Sequence, residues 1–107
     1  VTDGRRFSKQ NRFFKEGNSM KFASAGTLES MDCLVTVSEG GRGSGLAVEL
    51  EGSGVSRFRS AMEKTVRDTL EALGANDLMV NVNDRGALDV VLEARVETAV
   101  KRLRGER

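Results

Sequence analysis

The chain has 107 residues, with 17 Lys+Arg against 16 Asp+Glu, one Cys, and no His, Trp, Tyr or Pro, giving a formal net charge of +1. The missing imidazole removes the usual general base at neutral pH and the commonest metal ligand, and Cys33 alone supports neither an internal disulfide nor a cysteine zinc cluster. No apolar run approaches the roughly 20 residues that span a bilayer. The basic head lacks the apolar core of a secretory signal, so no membrane role is expected and a reducing cytoplasm is the expected compartment. This length predicts one domain burying about 60–70% of its unfolded surface, enough for a small two-layer core but not for a deep enclosed active site.

The near-neutral charge averages two unlike pieces. Residues 1–19 carry five basic side chains against Asp3 and Glu16, a net +3, which leaves twelve against fourteen, a net −2, for residues 20–107. Three of the five Phe (Phe7, Phe13, Phe14) also sit in the head. It shows neither a 3.6 nor a 2.0 apolar period and ends in Gly17-Asn18-Ser19 just before Met20. Residues 1–19 therefore read as a flexible leader, tag or upstream extension, with the domain over 20–107. Basic residues interleaved with Phe in Arg12-Phe13-Phe14-Lys15 also fit a nucleic-acid arm. One short cluster supplies few phosphate contacts, so that reading stands second; an Arg-bearing transit segment stands third.

After a short polar stretch over Ser24–Asp32, Cys33-Leu34-Val35-Thr36-Val37 reads as a strand buried on at least one face. Glu39 to Gly45 holds four glycines and no apolar residue, and reads as a loop. Leu46 to Glu51 then alternates, with Leu46, Val48 and Leu50 on one face and Glu49 and Glu51 on the other. These two strands are expected to form an antiparallel hairpin with an unusually long connection. Phe58, Met62, Val66, Leu70 and Leu73 predict a helix of about five turns ending at Gly74. Leu78, Val80 and Val82 predict a third strand, and Asp84-Arg85-Gly86 a turn. Leu88, Val91, Leu92, Arg95, Val96, Ala99, Val100 and Leu103 mark the inner face of a second helix. The predicted fold is a small two-layer α+β domain of order β-β-α-β-α, a hairpin plus a third strand covered by two helices.

Few residues carry chemistry. The glycine loop Gly40–Gly45 leads into a strand and not into a helix, and it lacks a Gly-Lys-Ser/Thr ending, so a hairpin loop is favoured over a phosphate cradle. Glu49/Glu51 read as a solvated strand face, and Asp84/Asp89 flank a turn where Asp84 suits a cap or the helix dipole. Cys33 reads as a small buried apolar group. Arg95 interrupts an apolar stripe, where it either snorkels or pairs with a carboxylate, with partner docking as the lesser alternative. Ser30 lies in a polar stretch between Glu29 and Asp32. Without His it has no resident activating base, so it can only be modified by an enzyme that brings its own; from the residues alone, an unmodified loop serine is the simpler reading.

The stretch Ala25-Gly26-Thr27-Leu28-Glu29-Ser30, followed by Asp32, resembles the N-terminal motif of the citrate lyase acyl carrier protein (gamma subunit) family. Val80 to Asp89, continuing through Leu92, Ala94-Arg95 and Glu97, resembles the same family's second signature. The resemblance implies a non-catalytic carrier with Ser30 as the attachment point of a phosphodiester-linked 2'-(5''-phosphoribosyl)-3'-dephospho-CoA, and with no metal. It implies as partners a prosthetic-group transferase, an alpha subunit that exchanges the carried acetyl group for citrate with release of acetate, and a beta subunit that cleaves the citryl carrier to oxaloacetate. A carrier of the malonate decarboxylase type uses the same group and is the alternative, though Gly86-Ala87-Leu88-Asp89 favours the citrate lyase type. The chain departs from the family pattern at Met31, where a small residue is expected, and in its 19-residue head. Unlike four-helix carriers, in which the serine opens a helix, Ser30 here precedes a strand.

Overall fold

The computed structural model describes residues 21–106; the leader, nucleic-acid and transit readings of the head lie outside the described residues. The elements run β1 (Phe22–Gly26), β2 (Cys33–Glu39), β3 (Ala47–Ser53), α1 (Val55–Ala72), β4 (Leu78–Arg85) and α2 (Asp89–Leu103). They form one four-stranded sheet of order β1-β2-β4-β3, in which β3 and β4 are parallel and the other neighbours antiparallel. The expected α+β class and the two helices on one sheet face are observed, with α2 over β1 and β2 and α1 over β3.

Register and burial explain the two layers. Across the sheet, Ala23, Val37, Val80 and Val48 form one inward row, and Ala25, Val35, Val82 and Leu50 the next. These rows meet Val66 and Leu70 of α1 and Val96, Ala99 and Val100 of α2 in a single core. Each fully buried aliphatic side chain contributes about 1.5–3 kcal/mol relative to exposure. The other face carries Thr36, Ser38, Asn81, Asn83, Glu49 and Glu51 at the intervening positions and is left to water, as alternation in a sheet covered on one side requires.

The strand pairing differs from the sequence expectation in two ways. An additional strand, β1, precedes β2, and the hairpin is β1–β2; the strands predicted as a hairpin, β2 and β3, are separated by β4. The reason lies in β4, whose inward residues Leu78, Val80 and Val82 are all buried and whose place between β2 and β3 gives it a partner on each side. The β3–α1–β4 crossover brings β4 back parallel to β3. The loop from β2 to β3 must then step across β4, about two strand spacings or 10 Å, which accounts for its length. β1 escaped the pattern because its inward residues are only Ala23 and Ala25, small enough for α2 to lie close over them.

Two apolar positions also leave the faces expected for them. α1 departs from helical geometry at Phe58 (φ −120°, ψ 18°), so Val55 enters the core and Phe58 turns outward, 51% exposed, beneath the Arg57 guanidinium 5.1 Å from its ring centroid. Leu88 is the residue before α2 and is likewise exposed.

The third row runs Cys33, Asp84, Gly52 and is built for close approach. Gly52 has φ 110°, and a side-chain carbon there would run into the backbone of Asp84. Gly52→Ala is therefore expected to destabilise the fold by about 2 kcal/mol or more in denaturant unfolding. In the same assay Leu70→Asp, which places a charge in the core, is expected to cost about 3–5 kcal/mol, while Glu49→Gln on the wet face stays within about 0.5 kcal/mol of wild type. Similar stabilities for the Leu70 and Glu49 variants would mean the two faces are wrongly assigned.

Candidate functional site

The six residues Thr27–Asp32 close the β1–β2 hairpin, and Ser30 lies in the turn at its outer edge, exposed to solvent. The hairpin can close because Gly26 (φ 101°) carries no side chain: one would strike the Cys33 carbonyl and crowd Cδ of Arg95 at 3.2 Å. Met31 follows Ser30 with φ 69°, a left-handed conformation uncommon for a residue with a β-carbon. Glycine, which has no β-carbon, suits that φ, so a glycine here would relieve the strain that Met31 carries. The Met31 side chain is 61% exposed and turned away from the core.

The loop after β4 sits directly beside this turn. Met31 N–H donates to the Arg85 carbonyl at 2.8 Å, and Arg85 N–H donates to the Asp32 carbonyl at 2.9 Å, extending the β2–β4 ladder past its formal end. The two separated sequence motifs thus meet at one end of the sheet. Asp84, buried in the last inward row, accepts from Ala87 N–H at 3.0 Å and turns the chain toward α2. It bonds ahead of the helix and is not the helix cap, since Leu88 holds that position. Beside it lies Gly54, the residue that opens α1, where a β-carbon would sit 3.2 Å from Asp84 Oδ2.

Asp32 ties the turn together. Its Oδ2 accepts from the Thr27 hydroxyl at 2.8 Å and its Oδ1 from Cys33 N–H at 2.7 Å. Arg95 of α2 donates Nε to Oδ1 and Nη2 to Oδ2, both at 3.0 Å, a two-pronged pair across 63 residues of chain. These donors, the Arg95 guanidinium first, hold the Asp32 carboxyl at about 2, below its ordinary 3.8. Of the readings open for Arg95, pairing with a carboxylate is the one observed. Its position on an apolar stripe was the signal in the sequence; nothing there named Asp32 as the partner.

The remaining candidates separate from this site. The Cys33 thiol is buried, and burial, followed by the charges of Asp32 and Asp84, pushes it up to about 11, so it stays protonated and inert. Glu49 lies on the wet face, where the Asn81 amide reaches it at 3.5 Å. The glycine loop crosses the far end of the sheet and is occupied from within. Asp77, just before β4, accepts from Gly43 N–H at 3.0 Å and Gly45 N–H at 2.8 Å, and its carbonyl from Gly40 N–H at 2.7 Å. Backbone donors that could have cradled a phosphate are pinned to an internal carboxylate, whose proton affinity they lower. A concavity of about 800 Å³ beside this loop, lined in part by Lys21, Arg42 and Arg104, is likewise at the end opposite Ser30. Among the described residues no cluster of His, Cys, Asp or Glu could hold a metal, and no helix is long and apolar enough to cross a membrane.

Residues 20–103 match a family described as acyl carrier protein, malonate decarboxylase delta subunit (MdcD). The citrate lyase acyl carrier protein of Clostridium perfringens is 42% identical over 82 residues, covering 77% of this chain and 80% of that protein. Those of Rhodopseudomonas palustris and Haemophilus influenzae are both 44% identical, over 80 and 86 residues. The first covers 75% of this chain and 80% of the relative, the second 80% and 87%.

The depressed Asp32 titration fixes a pH dependence. Because its folded-state value lies below the unfolded one, its ionised form stabilises the fold above about pH 4, and that contribution is lost as the pH falls from 4 toward 2. An NMR titration of the Asp32 carboxyl is expected to give a midpoint near 2 in the wild type and a clearly higher one in Arg95→Met. An unchanged midpoint in the variant would show that the guanidinium is not the main cause.

Proposed function

This chain belongs to the citrate lyase acyl carrier protein family, and from that premise we propose that it is the carrier subunit of a citrate lyase, with Ser30 as the attachment point for 2'-(5''-phosphoribosyl)-3'-dephospho-CoA. The observation that carries the reading is the convergence of both family motifs on a single exposed serine, held at the sheet end on a turn clamped from beneath. Such a site suits a bulky phosphodiester adduct, since Ser30 and its neighbours Glu29 and Met31 are all exposed and the anchoring bonds run inward to Asp32. The attached group supplies a terminal thiol on which acetyl and citryl groups are held as thioesters.

The chain's own part is presentation. Ser30 contributes a hydroxyl oxygen on a fixed turn. With no His in the chain and the nearby thiol protonated at neutral pH, the base for the attachment has to come from the transferase. The carrier then moves acyl groups between an alpha subunit, which exchanges acetyl for citrate, and a beta subunit, which releases oxaloacetate; tethering keeps the thioester at high effective concentration near both. This assignment places the protein in the cytoplasm and gives it no catalytic residue. A malonate decarboxylase carrier is the second reading, favoured by the description of the matching family.

Intact-mass analysis after coexpression with the maturation enzymes of a citrate lyase is expected to show the phosphoribosyl-dephospho-CoA adduct on wild type and none on Ser30→Ala. An adduct that persists in the variant moves the attachment elsewhere. Modification only by the malonate decarboxylase enzymes selects the second reading.

A further inference from the structure

We infer that Arg95 is a positioning residue for the attachment reaction, acting through Asp32 to fix the turn that presents the Ser30 hydroxyl. The inference rests on the carrier reading above and assigns a role to a residue 65 positions away from the serine.

The turn needs an external tie. Six residues connect β1 to β2, and Met31 within them holds a left-handed backbone that a residue with a β-carbon adopts only when its surroundings over-determine it. Two backbone bonds tie it to β4, Met31 N–H to the Arg85 carbonyl and Arg85 N–H to the Asp32 carbonyl, and the remaining bonds radiate from the Asp32 side chain. Its carboxylate gathers the Thr27 hydroxyl, the Cys33 N–H and both Arg95 donors, which fills its acceptor sites. Its N–H reaches back to the Glu29 carbonyl at 3.1 Å, and the Thr27 hydroxyl oxygen accepts from Glu29 N–H, also at 3.1 Å. Ser30 is bracketed by these ties. Thr27, Glu29 and Cys33 all belong to the hairpin and can move with it, whereas Arg95 belongs to α2, which is packed into the core through Leu92, Val96 and Ala99. The backbone bonds to Arg85 refer one side of the turn to the sheet, and the guanidinium is the side-chain tie that refers it to the helical layer.

Global stability accounts for only part of the pair. The depressed Asp32 carboxyl stabilises the fold, but the Arg95 side chain is 38% exposed, and solvent screening limits that contribution. The pair's geometry is specific nonetheless: a planar fork serves two carboxylate oxygens at once, which a lysine ammonium cannot do. Position matters in the attachment step. Ser30 Oγ forms a bond to the phosphorus of a ribosyl phosphate activated as a phosphoric anhydride. The anhydride P–O bond breaks, the phosphate or pyrophosphate leaving group takes the electron pair, and the hydroxyl proton passes to a base on the transferase. A nucleophile displaced by about 1 Å loses up to about a hundredfold in such a step.

The test compares the full-length wild type with Arg95→Met, Arg95→Lys and Val96→Ala, the last trimming a buried neighbour on the same helix without touching the turn. Amide hydrogen exchange at Met31 and Asp32 is read first, then the kinetics of prosthetic-group attachment by the transferase, with the phosphoribosyl-dephospho-CoA group supplied as its phosphoric anhydride. Arg95→Met is expected to speed exchange at both amides and to lower the attachment kcat by about tenfold or more, with KM for the carrier within about twofold. Arg95→Lys is expected to lie between the two. Val96→Ala is expected to lower the melting temperature yet keep wild-type kcat. Attachment to Arg95→Met at the wild-type rate, unchanged exchange at Met31 and Asp32, or equal slowing by Val96→Ala would overturn the inference. If Arg95→Met does not fold, full-speed attachment to Arg95→Lys overturns it alone. A wild type that accepts no group sinks the carrier reading and this inference with it, whereas a modified wild type beside a full-speed Arg95→Met sinks only the inference.

Discussion

The geometry around Ser30 depends on one carboxylate. Asp32 stands where the β1–β2 hairpin ends, accepts from the hairpin on one side and from α2 on the other, and shares backbone bonds with the strand that enters the middle of the sheet. The two stretches of sequence that resemble the family are far apart in the chain because they are the two sides of this junction. One supplies the serine, the threonine and the carboxylate. The other supplies the Arg85 backbone and the Arg95 guanidinium. An ionised carboxylate suits the task because it accepts several charge-assisted or backbone bonds at once, and Asp32 stays ionised throughout the physiological range.

A similar device operates at the other end of β4. Asp77 collects backbone N–H groups of the glycine loop as that loop steps across from β2 to β3. Both are places where the chain leaves the sheet without ladder partners for its polar groups, and an aspartate supplies the missing acceptors. The consequence for function differs. At the Asp77 end the loop donors are consumed, which removes the phosphate-binding option. At the Asp32 end the bonds point inward and leave the serine side of the turn to solvent.

Local periodicity made the two helices, β2, β3, β4 and the wet face of Glu49 and Glu51 legible in the sequence. Partner choice was not legible. Nothing local to Cys33–Val37 or Leu46–Glu51 says that the strand following α1 will come between them; that follows from the gain of flanking β4 on both sides. The length of the glycine loop was the one visible trace of it. β1 was hidden because alanines packed under a helix carry little apolar signal, and Phe58 left its predicted face because of a kink that a spacing rule cannot see. At the candidate site, Ser30 was singled out only through family resemblance, since a serine in a polar turn looks like any other. Arg95 was visible as an anomaly on an apolar stripe, but its partner was set by tertiary contact.

The absence of histidine fits the proposed division of labour, in which the chain would offer a fixed hydroxyl and other proteins would bring the bases and the reactions. Reconstitution tests that account most directly. The chain, loaded with phosphoribosyl-dephospho-CoA and acetylated, is added to purified citrate lyase alpha and beta subunits lacking their own carrier, and oxaloacetate formed from citrate is followed. The account predicts turnover that depends on the loaded chain and is absent with the unloaded chain or with Ser30→Ala. Turnover without the loaded chain, or none with it, would contradict the account.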